Sequence, residues 1–248
     1  MGNRTRGFTI IEVMLFLGVT GILTIGILVG TGVAIGQQRY RDAVTTFKTS
    51  LQEGYNQTAN TQNDRSGSES CSNGVIVSPP DTVTNPQPRG TSECLIMGKM
   101  LQITASGKEL TSRDIIGFRT SQAAEIEMTD LAELSKNYSL STSAVSETTT
   151  ALEWGATAVK PKTSTPYPLT IAIIRSPLSS TTMTFVKQGV TSDIDAMVAS
   201  GIVKEPTDIC LDPDGGAFAG QRLAVRIVAF AGSQSGVEIP AESDNICD

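Results

Sequence analysis

The sequence predicts an α+β fold in which one long N-terminal helix packs against an antiparallel β-sheet. First, residues 13–36 contain no charged side chain, and a stripe of apolar residues with helical spacing follows them directly. Second, the rest of the chain contains short runs rich in β-branched residues, separated by polar turns, which is typical of strands joined in hairpins. One helix followed by several hairpins favours an α+β arrangement.

The uncharged run is long enough to cross a membrane. It covers 24 positions, whereas about 20 apolar residues span a bilayer core. Arg4 and Arg6 precede the run and favour a cytoplasmic N-terminus. Arg39 and Arg41 follow it and favour the opposite orientation, but the cysteines further along the chain indicate a translocated C-terminal part. We therefore expect a single-pass protein with an extracytoplasmic C-terminal domain.

Glu12 stands at the beginning of this apolar run. An ionised side chain in hydrocarbon costs about 2.5–3.5 kcal/mol at a helix centre, so the carboxylate is expected to have a partner. A cleaved signal peptide has a shorter apolar core and a small-residue cleavage site after it, neither of which is present. A plain signal anchor is the simpler alternative, but it does not account for Glu12.

The helix is predicted to continue to about residue 60, which makes it roughly 75 Å long. After the apolar run, apolar residues recur at spacings of three and four on one helical face, and polar residues fill the other faces. This stripe is predicted to pack on a globular domain. Its members are Tyr40, Val44, Phe47, Leu51 and Tyr55.

The remaining elements are predicted from shorter patterns. Residues 60–74 and 79–90 are polar or proline-rich loops around a short strand. Residues 94–104 and 114–120 form one hairpin, and residues 168–176 and 181–188 form a second. Further strands are expected near residues 151–159 and at 222–230. Short helices are expected near 123–134 and at 192–201, the latter with Ser192 as N-cap and Gly201 after its end.

The four cysteines indicate an oxidising compartment. None belongs to a C-x-x-C pair, which disfavours zinc and thioredoxin-like sites. An even number at wide spacing predicts two disulfides, for which three connectivities are possible. The local pairing Cys71–Cys94 and Cys210–Cys247 is favoured because each bond closes one loop.

Composition and motifs argue against catalysis. The chain has no histidine, which excludes histidine-based acid–base chemistry and histidine-ligated metals. The net charge of −6 argues against nucleic-acid binding through global charge. Neither a G-x-S-x-G motif nor a Walker or dinucleotide fingerprint is present. We expect neither an enzyme nor a cofactor.

Two other features have simple explanations. Asp212 and Asp214 are alternate acids before two glycines, as in calcium loops, but the full EF-hand pattern is absent and an ordinary turn is favoured over a metal site. Trp154, the single tryptophan, is interpreted as partly buried packing rather than as a ligand platform.

The segment RGFTIIEVMLFLGVTGIL, residues 6–23, resembles the class III signal of type IV pilins and pseudopilins. The shared features are a short basic leader that ends in glycine, an aromatic residue, a glutamate one turn later and a long apolar helix. The resemblance implies that a prepilin peptidase cuts between Gly7 and Phe8 and methylates the new amino terminus of Phe8. It further implies that Glu12 pairs with the terminal amine of a neighbouring subunit. Many major pilins have a proline midway along this helix, where the present chain has glycines.

The resemblance implies a division of the chain into a cleaved leader (1–7), a transmembrane and assembly helix (8–36), the amphipathic half of the same helix (37–60) and an extracytoplasmic β-rich domain (61–248). The implied function is that of a structural subunit of a type IV pilus or pseudopilus. Residues 209–238 loosely resemble the end of the minor pseudopilin H of type II secretion and its pilus relatives. The large, loop-rich domain favours a minor subunit, because such a bulky domain is hard to repeat along a filament.

The implied partners are the prepilin peptidase, other pilin or pseudopilin subunits, an assembly platform and the lipid membrane. The implied location is the cell membrane and then a filament at the cell surface or in the envelope. The alternative is a single-pass, membrane-anchored extracytoplasmic binding module that does not polymerise and is not processed after Gly7.

Overall fold

The computed structural model describes residues 9–60, 94–120, 125–213, 221–241 and 244–247, together with the backbone of two short strands between residues 70 and 77. Its largest element is helix α1, Ile10–Ala59, which is 50 residues long. Thr9 caps its N-terminus, because the Thr9 side chain accepts a hydrogen bond from the backbone N–H of Glu12. The helix bounds agree closely with the predicted ones.

Twelve strands and two short helices follow in the described part of the chain. Helix α2 is Asp130–Asn137 and helix α3 is Ile194–Ala199. Strands β1 to β12 are, in order, Ser70–Ser72, Val75–Val77, Leu95–Ile103, Glu109–Arg119, Tyr138–Thr142, Thr148–Ala151, Thr157–Val159, Leu169–Arg175, Thr182–Gln188, Thr207–Asp212, Ala224–Ile227 and Val237–Glu238.

The strands form two main antiparallel sheets. The larger sheet has the order β5-β4-β3-β8-β9. Strand β6 also pairs with β4, on the same edge as β5: β6 pairs with the first half of β4 and β5 with the second half. The smaller sheet has the order β12-β11-β10-β7, while β1 and β2 pair with each other. With α1 packed on antiparallel sheet, the predicted α+β class is confirmed.

The apolar stripe of α1 fills the space between the helix and both sheets. All five predicted stripe residues are buried, and Ala43, Gly54 and Thr58 are buried with them. They pack on residues of the larger sheet such as Leu101, Ile171 and Ile173 and of the smaller sheet such as Ile209 and Val225. The prediction that the stripe is core is therefore confirmed. Helices α2 and α3 help to cover a second core cluster, to which alternate residues of the same β3 and β8 strands contribute.

Both predicted hairpins are present, as β3–β4 and β8–β9. Other boundaries differ from the prediction. The N-cap of α3 is Asp193 rather than Ser192, because the Asp193 carboxylate accepts from the N–H of Ala196 at 2.9 Å. Gly201 follows the end of α3 with φ of 90°, as a glycine after a helix end does. The last long strand is shorter than residues 222–230, since β11 ends at Ile227.

Candidate functional site: the N-terminal helix and its attachment

The N-terminal half of α1 projects as an exposed apolar rod. From Ile10 to Arg39 every residue is exposed apart from the half-exposed Thr20, and the large aliphatic and aromatic side chains here are 42–79% exposed. By length and composition α1 is the one helix among the described residues that could cross a membrane. A surface of this kind is found where protein contacts lipid or other apolar protein.

Polar side chains in this rod satisfy their hydrogen bonds within the helix. The hydroxyl of Thr20 donates to Phe16 O at 2.8 Å, that of Thr24 to Thr20 O at 2.7 Å and that of Thr31 to Ile27 O at 2.9 Å. Internal satisfaction of polar groups is required in hydrocarbon, where water is absent. Glu12 is the single ionisable side chain of residues 10–36, so it is the group for which an apolar environment is most costly.

Glu12 forms a capping box with Thr9. Its carboxylate accepts from both the backbone N–H and the hydroxyl of Thr9, each at 3.0 Å, while the N–H of Glu12 donates to the Thr9 hydroxyl at 3.3 Å. The carboxylate thus lies at the positive end of the helix dipole. Thr9 was not identified from the sequence, although the spacing Thr-x-x-Glu before an apolar run is the usual signature of this cap. Gly7 and Phe8 lie outside the described residues.

The C-terminal half of α1 is fixed to the globular domain by two buried tyrosines. The Tyr40 hydroxyl donates to Leu211 O at 2.8 Å and accepts from the N–H of Leu223 at 2.6 Å, next to the β10–β11 pair. At the other end of the stripe, the Tyr55 hydroxyl lies 2.8 Å from Thr184 Oγ1. Tyr40 therefore attaches α1 to the smaller sheet, and Tyr55 attaches it to the larger one.

Further polar contacts hold the helix between these tyrosines and at its end. Gln52 Nε2 donates to Gln234 O at 3.0 Å, and Arg175 donates to Ala59 O at 3.3 Å. Gly54 lets the helix approach the larger sheet closely, since a Cβ there would lie 2.8 Å from Leu101 Cδ1. The rod is thus continuous with a helical segment that is attached to both sheets.

Trp154 lies where the rod meets the domain, and its position differs from the expected packing. Its side chain is 54% exposed, and the guanidinium carbon of Arg39 lies 4.7 Å from the ring centroid. The backbone of Trp154 has φ of 54°, within a single 3₁₀ turn between β6 and β7. A cation over the indole face is a favourable arrangement, but it covers only part of the ring.

The cysteines lie apart from α1. Cys210 in β10 and Cys247 near the C-terminus are joined, with their Cα atoms 5.7 Å apart, as the local pairing predicts. Cys94 also forms a disulfide, but the side chain of Cys71, its predicted partner, lies outside the described residues. This disulfide links Cys247 to β10 of the smaller sheet, at the residue next to Leu211, whose carbonyl accepts from Tyr40.

The less favoured calcium site stays untested. Asp212 is the half-buried last residue of β10, and Asp214 lies outside the described residues. In the part of the chain that the structure describes, no group of three or more cysteine, aspartate or glutamate side chains is arranged to hold a metal ion.

Comparison of the chain with protein-family models, with curated proteins and with solved structures finds no match. A long N-terminal apolar helix packed on an antiparallel sheet is nevertheless consistent with a pilin-like arrangement. The resemblance to type IV pilins and pseudopilins accordingly rests on the N-terminal residues and on this architecture.

Proposed function

We propose that this protein is a structural subunit of a type IV pilus or pseudopilus, and that α1 serves first as its membrane anchor and then as its polymerisation helix. The observation that supports this most strongly is the form of α1. One half is an exposed apolar rod with a single carboxylate at its start, and the other half is fixed to the domain through a buried stripe and two tyrosine hydroxyls. Such a helix can leave lipid and enter a bundle of identical helices without a change in the domain.

Glycines in the rod suit such a bundle. Gly26 and Gly30 are four residues apart, as are Gly32 and Gly36, and in the isolated chain nothing lies within 4 Å of a Cβ added at any of them. Small residues at this spacing let apolar helices approach closely. In a plain tether they would only lower helix propensity, by roughly 1 kcal/mol each in water.

In this proposal a prepilin peptidase removes residues 1–7 and methylates Phe8. The new terminal amine then begins a helix whose fifth residue is Glu12. In the filament the Glu12 carboxylate leaves its own cap and pairs with the amine of a neighbouring subunit, because a charge in an apolar environment is retained only when it is paired and hydrogen-bonded. The protein itself performs no catalysis, and the filament with its assembly platform does the work.

The second candidate, a tethered binding module, is favoured by one observation. The Thr9–Glu12 capping box gives Glu12 a role within a single chain, namely to satisfy the first N–H groups of α1. A tether needs nothing more from this residue. The two candidates differ in processing and in whether the negative charge of Glu12 is required.

Processing is tested by the intact mass of the chain after co-expression with a prepilin peptidase. We expect the wild-type chain to lose seven residues and to gain one N-methyl group. Gly7→Glu should abolish the change, while Gly2→Glu, which places the same charge elsewhere in the leader, should leave it intact. A full-length wild-type chain in the presence of active peptidase would refute the pilin-like function and favour the tether.

A further inference from the structure

Trp154 and Arg39 occupy a particular level on α1. The uncharged run ends at Gly36, and Arg39 follows three residues later, about 4–5 Å further along the helix axis. Since the ring of Trp154 lies against the Arg39 guanidinium, the indole is also near this level. The headgroup layer of a bilayer extends about 5–8 Å beyond each side of the hydrocarbon core. When the apolar rod spans the membrane, Trp154 and Arg39 therefore fall within that layer.

The fold holds Trp154 at this level by specific contacts. The carboxylate of the preceding residue, Glu153, accepts a hydrogen bond from Thr46 Oγ1 at 3.3 Å. This bond ties the turn to α1 about 10 Å further along the helix axis than Arg39, so the turn lies beside α1 with Trp154 toward the apolar rod. The next strand, β7, begins at Thr157 opposite Asp212, at the end of β10 where Tyr40 binds Leu211. The turn that bears Trp154 is thus at the end of the domain nearest the apolar rod.

The conformation of this turn keeps the indole out of the core. Trp154 has φ of 54° and Gly155 has φ of 71°, so two consecutive residues adopt left-handed backbone conformations. A bulky residue rarely adopts such a conformation. Here it directs the largest side chain of the protein outward, 54% exposed.

The chemistry of the pair matches a lipid headgroup region. Tryptophan is enriched at membrane–water interfaces, because its ring is apolar while its N–H can bind headgroup oxygens. The guanidinium carbon of the exposed Arg39 lies over the ring, 4.7 Å from its centroid, and a guanidinium carries several N–H donors whose fork geometry matches a lipid phosphate.

We propose that Trp154 and Arg39 form a membrane-surface contact, in which the indole inserts among lipid headgroups and Arg39 binds a lipid phosphate. This inference rests on the proposed function insofar as α1 must first be anchored in a membrane. It adds that the globular domain rests on the bilayer at a fixed height and rotation before assembly, rather than standing free on a stalk. The partner is a phospholipid surface.

The single tryptophan makes the test direct, because all tryptophan fluorescence of the wild-type chain comes from Trp154. The full chain is reconstituted into phosphatidylethanolamine–phosphatidylglycerol vesicles, and its fluorescence is quenched in turn by a headgroup nitroxide, by a mid-chain nitroxide and by aqueous acrylamide. We expect the headgroup label to quench most strongly. Acrylamide quenching should fall by about half or more relative to detergent micelles, because headgroups cover the exposed part of the ring.

Phe230 supplies the matched control. It is 63% exposed and also has a positive φ, of 56°. It lies beside Ala231, whose carbonyl accepts from Thr184 at the level of Tyr55, about 24 Å further along α1 than Arg39. In the double variant Trp154→Phe with Phe230→Trp, the new tryptophan should be quenched by acrylamide and by neither lipid label.

Each outcome decides the proposal. Vesicles that float with the chain while Trp154 is quenched only by acrylamide would overturn this inference and leave the membrane anchor intact. Failure of the chain to float with vesicles would overturn the anchor and this inference together. Protection of Trp154 in sheared filaments but not in vesicles would assign it to a subunit contact instead. Loss of processing at Gly7, with strong headgroup quenching, would refute the pilin-like function but support the membrane contact.

Discussion

Removing the hydroxyl of Tyr40 should weaken the attachment of α1 to the smaller sheet. Tyr40→Phe keeps the buried ring but deletes the oxygen that bonds both Leu211 O and the N–H of Leu223. A buried N–H left without a partner costs about 1–3 kcal/mol, and a lost hydrogen bond about 0.5–1.5 kcal/mol. Since Leu223 N–H is half-buried, we expect a loss of about 2–3 kcal/mol in the free energy of unfolding.

Tyr55→Phe is the matched variant. Thr184 Oγ1 donates its single proton to Ala231 O at 2.6 Å, so Tyr55 is the donor in the bond between the two hydroxyls. Without Tyr55 the Thr184 hydroxyl still has its carbonyl partner. The loss in free energy of unfolding should therefore be about 1 kcal/mol, smaller than for Tyr40→Phe.

Urea unfolding of the full chain in mild detergent measures both variants. Fluorescence of Trp154 is a suitable probe, because the ring contacts Arg39 one residue before Tyr40. The reasoning is refuted if Tyr40→Phe destabilises the protein less than Tyr55→Phe does, since the Tyr40 hydroxyl would then not be the more important attachment of α1.

Three further predictions concern the globular domain. Replacing Cys210 and Cys247 together with alanine should lower the free energy of unfolding by about 4 kcal/mol in the chain-entropy model, given their separation of 37 residues; a loss below about 1 kcal/mol in non-reducing urea titrations would contradict this. Burial raises the pKa of Tyr55 to about 12. The folded chain therefore keeps a proton that the unfolded chain releases above about pH 10, and stability should fall by up to about 1.4 kcal/mol per pH unit between pH 10 and 12. In Tyr55→Phe the free energy of unfolding should lose this contribution to its decrease between about pH 10 and 12. A variant with the same alkaline decrease as the wild type would argue against a raised pKa of Tyr55. Gly98→Ala should prevent normal pairing of β3 with β8, because the new Cβ would lie 1.9 Å from Ile173 O; wild-type thermal stability would disprove this.

Asp130 gives a pH effect on stability opposite in sign to that of Tyr55, because stability is lost as the pH falls rather than as it rises. Hydrogen bonds from Ser176 and Ser179 hold the pKa of Asp130 below its usual value. Because the folded-state pKa is depressed, this stabilisation is present above the ordinary pKa of an aspartate and is lost as the pH falls through the folded value. In thermal melts from pH 6 to pH 2.5, Asp130→Asn should therefore reduce the acid sensitivity of the protein. An acid-induced decrease identical to that of the wild type would rule out this role for Asp130.

The sequence was most informative where one physical rule dominates. The stripe from Tyr40 to Tyr55 was identified in full, because a helix that buries one face must repeat apolar residues at three- and four-residue spacing. The two hairpins were located for a similar reason, since their apolar runs alternate or are wholly buried. In these elements the periodicity of the sequence directly reflects which face of the helix or strand is buried.

Elements that depend on distant partners were missed or misplaced. Strand β10 was not predicted, because the charged Asp208 interrupts its short apolar run. In the fold, Arg226 on the neighbouring strand β11 compensates the charge of Asp208 and donates to its carboxylate at 2.7 Å. Helix α2 begins at Asp130, later than expected, because Thr129 caps it through the N–H of Ala132. The outward position of Trp154 depends on a positive φ, which composition does not reveal.

The requirement for the charge of Glu12 tests the proposed polymerisation most directly. Glu12→Gln keeps a side chain that can complete the capping box but removes the negative charge, whereas Thr9→Ala disrupts the cap and keeps the charge. The measurement is the fraction of each subunit in sheared, pelleted filaments at equal membrane levels. If the carboxylate pairs with the amine of a neighbour, Glu12→Gln leaves that amine unpaired, and breaking a buried pair costs about 3–5 kcal/mol. The processed Glu12→Gln subunit should then accumulate unassembled in the membrane, while Thr9→Ala should still assemble. Incorporation of Glu12→Gln at the wild-type level would contradict the pairing and leave Glu12 as a helix cap alone.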